Sequence, residues 1–346
     1  MKTYRVGIIG LGRMGCTICD EVVGYKAFKL PYSIAGACAE SPRLEFACGA
    51  DLDPAKREAC RQRWGCSALY EDFLRMIEQE RPDMVAICTK GENHAELAMA
   101  CADSGVPMMY LEKAMACSMV EADGVRDAIA RNHTVFNTGV LRRFGDHYKA
   151  VRAMIADGLI GEPRAVIQKS GGSLLHSNIH AVDFAMFMLG DPRAVRVWGE
   201  LPRGTEFVDN RLDHDPGAVY RIEFEGGAQA WQVPFGNHDV EIVGSAGIIE
   251  CLNNGMDFVI RKPEEPPLKW TRYLPEVTGI PVQVSATVAC LEDLVDAYET
   301  GRPTLNNIDV AHHSTEICFA TAESHRLGGV WVDLPLENRE LYVWHV

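Results

Sequence analysis

Residues 1–16, MKTYRVGIIGLGRMGC, carry the strongest structural signal in this chain. The apolar run Tyr4–Ile9 is typical of a buried β-strand, and it leads directly into the turn GLGRMG at 10–15. Glycines spaced in this way permit a tight connection from strand to helix, close approach of a pyrophosphate, and close packing of the helix on the strand. The helix predicted over 14–23 would present unbonded N–H groups to the phosphates. The turn therefore predicts a dinucleotide site that includes Gly10, Gly12, Arg13, Met14 and Gly15.

An acidic residue follows the second predicted strand, Leu44–Ala50. A carboxylate at this position, Asp51, can accept hydrogen bonds from both hydroxyls of the adenosine ribose, and it would repel a 2′-phosphate. We therefore predict NAD as the cofactor. NADP is the less favoured alternative, with Lys56 and Arg57 as the residues that could bind its phosphate.

The separation between the glycine turn and Asp51 is longer than the roughly 20 residues usual for such folds. The additional residues are predicted to form a loop over 24–43 with exposed aromatic side chains at Tyr25, Phe28 and Tyr32. A tolerated surface insertion is the simpler interpretation, since long loops cost little stability. The alternative is that the insertion forms a wall of the cofactor or substrate cleft.

Composition excludes several classes of protein. The chain has 346 residues, which is enough for two domains, and its formal net charge of −14 argues against nucleic acid or an anionic membrane as a partner. We see no apolar stretch of the roughly 18 residues that a membrane span needs and no signal segment, so we expect a cytoplasmic protein. The 12 cysteines fall mainly within apolar runs, as expected for small hydrophobic residues in a reducing compartment.

The order of predicted elements indicates an α/β protein with two domains. Strand and helix signals alternate over residues 1–122, which predicts a Rossmann domain with a parallel sheet and helices on both faces. A fifth strand over 134–139 is expected to complete this sheet. Residues 123–346 are expected to form an α+β domain with a large, mainly antiparallel open sheet, finished by helices over 284–299 and 307–327. One face of that sheet would be left for a partner subunit.

A charged pair, Glu112-Lys113, follows the fourth predicted strand, Met108–Leu111. Open α/β sheets bind their ligands at the carboxyl ends of the strands, so this pair is placed where chemistry is expected. A cationic nicotinamide beside the lysine would lower its pKa, which would let it exchange a proton with a substrate hydroxyl.

The chain resembles the glucose–fructose oxidoreductase / inositol dehydrogenase (Gfo/Idh/MocA) family over nearly its full length. The matching segments are, in chain order, GIIGLGRMG, ADLDP, DMVAICT followed by His94, Glu112-Lys113, RRF, GLIGEPR, IHAVDFAMFMLGDP and VDLPL. The resemblance implies a Rossmann domain, a second domain with a large open sheet, and homodimers or homotetramers formed through that sheet. It also implies NAD(P)-linked oxidation of sugars, polyols or their derivatives.

The resemblance also assigns roles to individual residues. The family's catalytic lysine, from an E-K-P motif, matches Lys113, and its catalytic histidine matches His180. Two departures stand out: Ala114 replaces the proline that favours a cis bond, and His176 replaces an aspartate found four residues before the histidine. We further expect cofactor contacts from Thr89, His94 and Glu112, and substrate contacts from Arg142, Arg143 and Asp183.

His176 and His180 are one helical turn apart, so both could face one site. Histidine can act as a base near neutral pH, and His176 could assist or replace the missing acid. The alternatives are that His176 caps the following helix or binds substrate. A zinc site on this pair is disfavoured because no third ligand is evident, so we expect no metal.

Three whole functions remain open at this point. The first is NAD-dependent oxidation of a secondary alcohol of a sugar or polyol, with proton transfer by Lys113 and His180. The second is redox-assisted glycoside cleavage, in which transient oxidation permits elimination and His176 supplies the extra base. The third is a cofactor-binding sensor without catalysis. The identity of the sugar, the carbon oxidised, the direction and the oligomer number are not readable from the sequence.

Overall fold

The computed structural model describes residues 2–264 and 272–345 of the chain. The strands, in chain order, are β1 Tyr4–Ile9, β2 Leu44–Ala50, β3 Leu69–Tyr70, β4 Met84–Ile87, β5 Met108–Leu111, β6 Val135–Thr138, β7 Pro163–Ser170, β8 Ala194–Glu200, β9 Arg211–Leu212, β10 Val219–Phe224, β11 Gln229–Val233, β12 Asn237–Gly244, β13 Ile248–Leu252, β14 Asp257–Pro263, β15 Tyr273–Thr278, β16 Val332–Asp333 and β17 Tyr342–Val343. The α-helices are α1 Ile34–Glu40, α2 Pro54–Trp64, α3 Phe73–Glu80, α4 His94–Asp103, α5 Met119–Asn132, α6 Asp146–Ala156, α7 Ile179–Leu189, α8 Ala286–Thr300 and α9 Ile308–Arg326.

The chain divides into two compact units. Unit 1 comprises residues 1–145, 283–312 and 344–346, and unit 2 comprises residues 146–282 and 313–343. This division differs from the sequence-based boundary between residues 122 and 123. The difference has two causes: β6 pairs with β5 in the first sheet, and the segment containing α8 returns to that unit.

Unit 1 is built on a parallel sheet of six strands in the order β3-β2-β1-β4-β5-β6. This is the strand order of a Rossmann fold, with the reversal between β1 and β4. Strands β4 and β5 are buried along their whole length, as expected where helices cover both faces of a sheet. The predicted fold class of the N-terminal region is confirmed.

Helix α8 packs on this parallel sheet rather than on the second domain, to which the sequence analysis had assigned it. Leu291, Leu294 and Val295 lie in the same buried core cluster as Val6 and Ile8 of β1. The amide of Asn137 in β6 donates hydrogen bonds to the Cys290 carbonyl and to Asp293, both at 3.1 Å. The sequence analysis assigned α8 to the second domain because it lies close to that domain in the chain. The contacts with β6, which is distant in sequence, could not be predicted in this way.

The segment after the glycine turn is not the single helix predicted over 14–23. A π-helical turn at Arg13–Thr17 passes into a 3-10 turn at Ile18–Glu21, and no α-helix begins before Ile34 in this described stretch. The β-branched residues Thr17, Ile18 and Val22 lose side-chain freedom in a helix, which disfavours its continuation. The predicted loop over 24–43 is also corrected, because it contains α1, whose first turn is capped by the Ser33 hydroxyl.

Unit 2 contains a sheet of nine strands in the order β15-β14-β13-β12-β7-β11-β10-β8-β16. All neighbouring pairs are antiparallel except β7 and β11, so the predicted large, mainly antiparallel sheet is confirmed. Burial alternates along β10 and β11, with Tyr220, Ile222 and Ala230 buried and Trp231 about two-fifths exposed. One face of the sheet is therefore covered and the other is accessible in the single chain.

Two features of the whole chain bear on its environment. Within residues 2–264 and 272–345, no helix is both long and apolar enough to cross a membrane. All 12 cysteines are present as thiols. Cys16 lies with its Sγ 3.7 Å from that of Cys60, whereas Cys19 accepts backbone hydrogen bonds from Tyr32 and Ser33. Cys16 and Cys19 thus make separate contacts within unit 1.

Candidate active site

The glycine turn has the geometry that a dinucleotide requires. Gly10 has a φ of +91°, and a Cβ added there would lie 2.7 Å from the Cys88 carbonyl oxygen. A Cβ on Gly15 would collide with the Gly10 carbonyl. Gly12 is different, because a Cβ there would meet no atom within 4 Å. Two glycines are thus needed for chain packing, and the third leaves open space at the start of the π-helical turn.

Asp51 is held at the end of β2 by the glycine turn itself. Its Oδ2 accepts a hydrogen bond from the Leu11 amide at 2.8 Å, and its Oδ1 accepts one from the Asp53 amide at 2.9 Å. A carboxylate has about four acceptor positions, so two amide donors leave further lone pairs for hydroxyl donors. This arrangement links the acid to the glycine turn and orients it for a ribose.

The basic residues near this edge are engaged by protein groups. Arg57 donates to the carbonyl oxygens of Asp51 and Leu52, at 2.5 and 3.1 Å. Arg13 is exposed and forms a two-pronged ion pair with Glu21, at 2.8 and 2.7 Å. Arg57 is therefore used locally rather than being presented to a 2′-phosphate, which agrees with the preference for NAD.

The carboxyl end of β5 positions Lys113. Glu112 is buried, and its Oε2 accepts a hydrogen bond from the Lys113 amide at 3.2 Å. Its Oε1 accepts a short hydrogen bond from the hydroxyl of buried Tyr110. Burial raises the pKa of the Glu112 carboxyl, while Lys113 and Tyr110 act in the opposite direction. Glu112 thus organises the strand end next to Lys113, and its expected contact with the cofactor stays a prediction.

The peptide bond between Lys113 and Ala114 is cis, although alanine replaces the usual proline. The carbonyl oxygen of Ala114 is held by His94, whose Nδ1 lies 2.6 Å away. The Nε2 of the same ring lies 3.1 Å from the Thr89 carbonyl oxygen. The His94 ring, only 1% exposed, therefore lies between the segments that follow β4 and β5, and its expected contact with the cofactor stays a prediction.

Acid should destabilise the protein through His94. Burial lowers the pKa of this imidazole to about 4, and the two carbonyl contacts only partly oppose the shift. In the unfolded chain the ring has a pKa of about 6.5. Between this value and the folded-state value, the unfolded state binds a proton that the folded state does not bind. The stabilisation is complete above that range and is lost as the pH falls through it. Between pH 7 and 5 the wild-type free energy of unfolding should lose ~2 kcal/mol that a His94→Gln variant does not lose.

Urea unfolding at several pH values measures this difference. His133→Gln is a suitable control, since His133 is exposed at the end of α5 and its replacement should leave the pH dependence of stability unchanged. Equal pH dependence for wild type and His94→Gln would show that the buried imidazole does not control acid stability.

The two arginines after β6 have different surroundings. Arg143 is only 1% exposed and donates to the Leu305 carbonyl oxygen at 3.0 Å, which gives it a structural role. Arg142 is half-buried in the same 3-10 turn, Leu141–Phe144, and lies within electrostatic range of Tyr32. Of these two arginines, Arg142 is the more accessible to a substrate, and the predicted substrate contacts stay predictions.

In unit 2, His176 and His180 lie on consecutive helical segments. His176 is exposed in a π-helical turn, Leu174–Asn178, and His180 is half-buried at the start of α7. The carboxylate of Asp215 accepts the amide hydrogens of Leu175 and His176, both at 2.8 Å. Asp183, one turn beyond His180, is fully buried. Helix therefore covers both histidines, but the first turn, which carries His176, is wider than an α-helical turn.

Buried amide side chains that the sequence analysis missed fix this helical start on the sheet. Gln168 of β7 donates to the Ala181 carbonyl and accepts a hydrogen bond from the Tyr220 hydroxyl at 3.0 Å. Gln232 of β11 donates to the Ser170 carbonyl and to Asn178. These glutamines could have been recognised in the sequence, because they are polar residues at strand positions that the alternating pattern predicts to be buried. These amides position the segment that carries His180.

The residues of unit 1 fit a bound NAD. Open space at Gly12, an oriented carboxylate at Asp51 and a held lysine at the end of β5 meet the needs of pyrophosphate, ribose and nicotinamide respectively. Among the described residues, no group of three or more His, Cys, Asp or Glu side chains is arranged to hold a metal ion. The fold and these features define an oxidoreductase that binds NAD in a Rossmann unit.

Comparisons with known proteins support this class. Residues 4–140 match the model of the Gfo/Idh/MocA oxidoreductases, described as an oxidoreductase family with an NAD-binding Rossmann fold. The NAD-binding region of this chain is therefore similar to that family, and the chain is an enzyme of the dehydrogenase type. The resemblance inferred from the sequence motifs is thereby confirmed.

Three similar proteins are 20–26% identical in sequence to this chain. Myo-inositol 2-dehydrogenase of Thermotoga maritima is 25% identical over 294 residues, which cover 78% of this chain and 81% of the relative. The scyllo-inositol 2-dehydrogenase (NAD(+)) of Bacillus subtilis is 26% identical over 267 residues, or 71% and 72% of the two chains. The structure of an inositol dehydrogenase homolog from Azotobacter vinelandii, complexed with NADH and myo-inositol, matches with a TM-score of 0.76 at 20% identity, over 96% and 98% of the chains. This last likeness establishes the fold.

Proposed function

We propose that this protein oxidises a secondary hydroxyl of a sugar, polyol or sugar derivative, with NAD as the hydride acceptor. The observation that carries the proposal is Lys113 at the carboxyl end of β5, in the unit that holds the glycine turn and Asp51. The relatives named as inositol dehydrogenases support the choice of a polyhydroxylated substrate. A sensor would need the dinucleotide contacts but not the lysine and histidine.

The chemistry assigned to the chain is proton transfer. NAD, when bound, supplies the hydride-accepting chemistry. Oxidation of an alcohol also releases the hydroxyl proton, which needs a base within hydrogen-bond reach. We assign this proton to Lys113, with His180 as the second polar group at the hydroxyl. Glu112 and Tyr110 hold the lysine's backbone, and Asp215 and the buried glutamines hold the histidine's helix.

A substrate panel tests the proposal. Purified protein is incubated with NAD and a set of free sugars, inositols, other polyols, sugar acids and aryl glycosides, and absorbance at the NADH band is followed with product analysis by mass. Stoichiometric NADH and a product two hydrogens lighter support a dehydrogenase. Release of aglycone without net NADH would instead support oxidation followed by elimination, with His176 as the extra base. No product of either kind would contradict the proposed activity.

Replacing His176 with aspartate should retain activity. If His176 stands where an acid usually orients the site, a carboxylate there can serve the same purpose, and kcat should remain within about tenfold of wild type. His176→Ala is the matched comparison and should lose more. Complete loss of turnover in His176→Asp, with normal folding, would contradict the stand-in role and indicate a specialised base.

We also propose a homo-oligomer formed through the accessible face of the nine-stranded sheet. That face carries Trp231 and Val233, each 40% exposed, with Arg221 stacked 4.4 Å from the Trp231 ring centroid. Exposed aromatic and arginine side chains are enriched at protein interfaces. Light scattering on the purified protein determines whether it is a monomer, dimer or tetramer.

A further inference from the structure

The insertion between the glycine turn and β2 is anchored to unit 1 at several points. The Ser285 hydroxyl donates to the Pro31 carbonyl at 2.5 Å, and the Thr287 hydroxyl donates to the Tyr32 carbonyl at 3.0 Å. On the other side, the Sγ of Cys19 accepts the amide hydrogen of Tyr32 at 3.2 Å. Tyr32 is thus held between the N-terminus of α8 and the segment that follows the glycine turn. A tolerated surface loop needs no such anchoring.

The insertion carries three aromatic rings in contact. Tyr25 meets Phe28 edge-on at 5.2 Å between ring centroids, and Phe28 is stacked on Tyr32 at 4.8 Å with 24° between the planes. All three residues are half-buried, which corrects the expectation that they are exposed. Tyr32, at one end of the stack, also packs against the core cluster of unit 1. The stack is therefore a supported aromatic surface.

Tyr32 lies near the β6 side of the parallel sheet, because Thr287, which donates to its carbonyl, is one turn of α8 before Cys290, whose carbonyl accepts a hydrogen bond from Asn137 of β6. Its hydroxyl is within electrostatic range of Glu112, at the end of β5, and of Arg142, after β6. Burial raises the pKa of Tyr32 to about 12, with Glu112 adding to the shift and Arg142 opposing it. Asp51, which marks the adenosine side, follows β2 on the other half of the sheet. The insertion thus brings an aromatic ring to the half of the sheet that contains β5 and β6.

We infer that the Tyr25–Phe28–Tyr32 stack is a substrate wall, in which Tyr32 contacts the C–H face of a cyclic polyol or sugar. The inference rests on the proposed function, and it adds a residue that determines substrate affinity and ring selectivity. Rings of cyclitols and pyranoses have apolar C–H faces that pack on aromatic side chains, and burial of apolar surface stabilises such contacts. Linear polyols lack a rigid face of this kind and should depend less on Tyr32.

The test compares Tyr32→Leu and Tyr32→Phe with wild type. Leucine keeps most of the buried apolar volume but removes the flat ring, so KM for a cyclic substrate should rise about tenfold or more. Phenylalanine restores the ring and should return KM to within about threefold of wild type. For a linear polyol, KM should change less than for a cyclic one in Tyr32→Leu. Tyr298→Leu is the control, because Tyr298 is an exposed aromatic residue on α8, and this variant should leave KM unchanged.

NAD affinity, measured by titration of NADH fluorescence, separates the outcomes. The substrate wall predicts that NADH binding in Tyr32→Leu remains within about twofold of wild type. Weaker NADH binding with unchanged KM for the substrate would overturn the inference and make the stack a cofactor wall. Unchanged values for both would overturn it in favour of a plain surface insertion. Wild-type protein that turns over no cyclic substrate would contradict the proposed function and the wall together, whereas normal turnover with unaltered KM in Tyr32→Leu contradicts the wall alone.

Discussion

Replacing Lys113 with alanine is expected to lower kcat for NADH formation by about two to four orders of magnitude, because positioned acid–base groups contribute rate factors of this size. The backbone around the lysine should persist. The Glu112 carboxylate accepts the backbone amide hydrogen of residue 113, which the substitution keeps, and the Nδ1 of His94 lies 2.6 Å from the next carbonyl oxygen. NADH affinity is accordingly expected to stay close to wild type, since the glycine turn and Asp51 are untouched.

Steady-state kinetics and NADH fluorescence titration together measure this effect. Lys2→Ala is the control, because Lys2 is an exposed lysine at the opposite end of β1 and its loss should change neither value. A Lys113→Ala enzyme with wild-type kcat would remove the lysine from the proton transfer. Loss of NADH binding and turnover together would indicate that the lysine mainly supports the cofactor.

Replacing Gly12 with valine is expected to weaken NAD binding by about two orders of magnitude, because the new side chain enters the space through which a pyrophosphate approaches the backbone. The fold should tolerate the change. A Cβ at this position meets no protein atom within 4 Å, and Gly12 has no left-handed φ. Thermal unfolding without cofactor should therefore match wild type, while the stabilisation by added NAD should largely disappear.

Gly279 provides a matched control. It is another glycine whose added Cβ would meet no atom within 4 Å and whose φ is not left-handed, and it lies in unit 2. Gly279→Val should leave NAD affinity unchanged. If Gly12→Val binds NAD normally, the pyrophosphate does not approach the glycine turn in this protein, and the account of the cofactor site is wrong.

Local signals in the sequence predicted the cofactor half of the fold well. The glycine spacing, the acid after β2 and the charged pair after β5 each follow a buried strand, and strand ends of a parallel sheet converge on one edge. The sequence could not reveal that α8 joins the first unit. Its apolar face fits any sheet, and the contact between Asn137 and Asp293 joins residues that are 156 positions apart in the chain.

The roles of polar residues were harder to predict than their positions. The cofactor contacts expected of His94 and Glu112 stay predictions. The structure adds that both ring nitrogens of His94 lie near backbone carbonyl oxygens, and that Glu112 accepts hydrogen bonds from the Tyr110 hydroxyl and the Lys113 amide. A motif records which residue is present but not which atom it faces. The sequence of the insertion was similarly ambiguous, because its aromatic residues are compatible with a loose surface loop. The hydrogen bonds that anchor Tyr32 show that the aromatic stack is supported by the rest of unit 1.

Isotope transfer from substrate to cofactor tests the central claim most directly. A substrate from the panel that carries deuterium on the carbon to be oxidised is incubated with the enzyme and NAD, and the reduced cofactor is analysed by mass spectrometry. We expect deuterium at the nicotinamide of the reduced cofactor, one atom for each molecule of ketone formed. Ketone formed with unlabelled NADH, or no reduced cofactor with any sugar or polyol tested, would contradict direct hydride transfer by this protein.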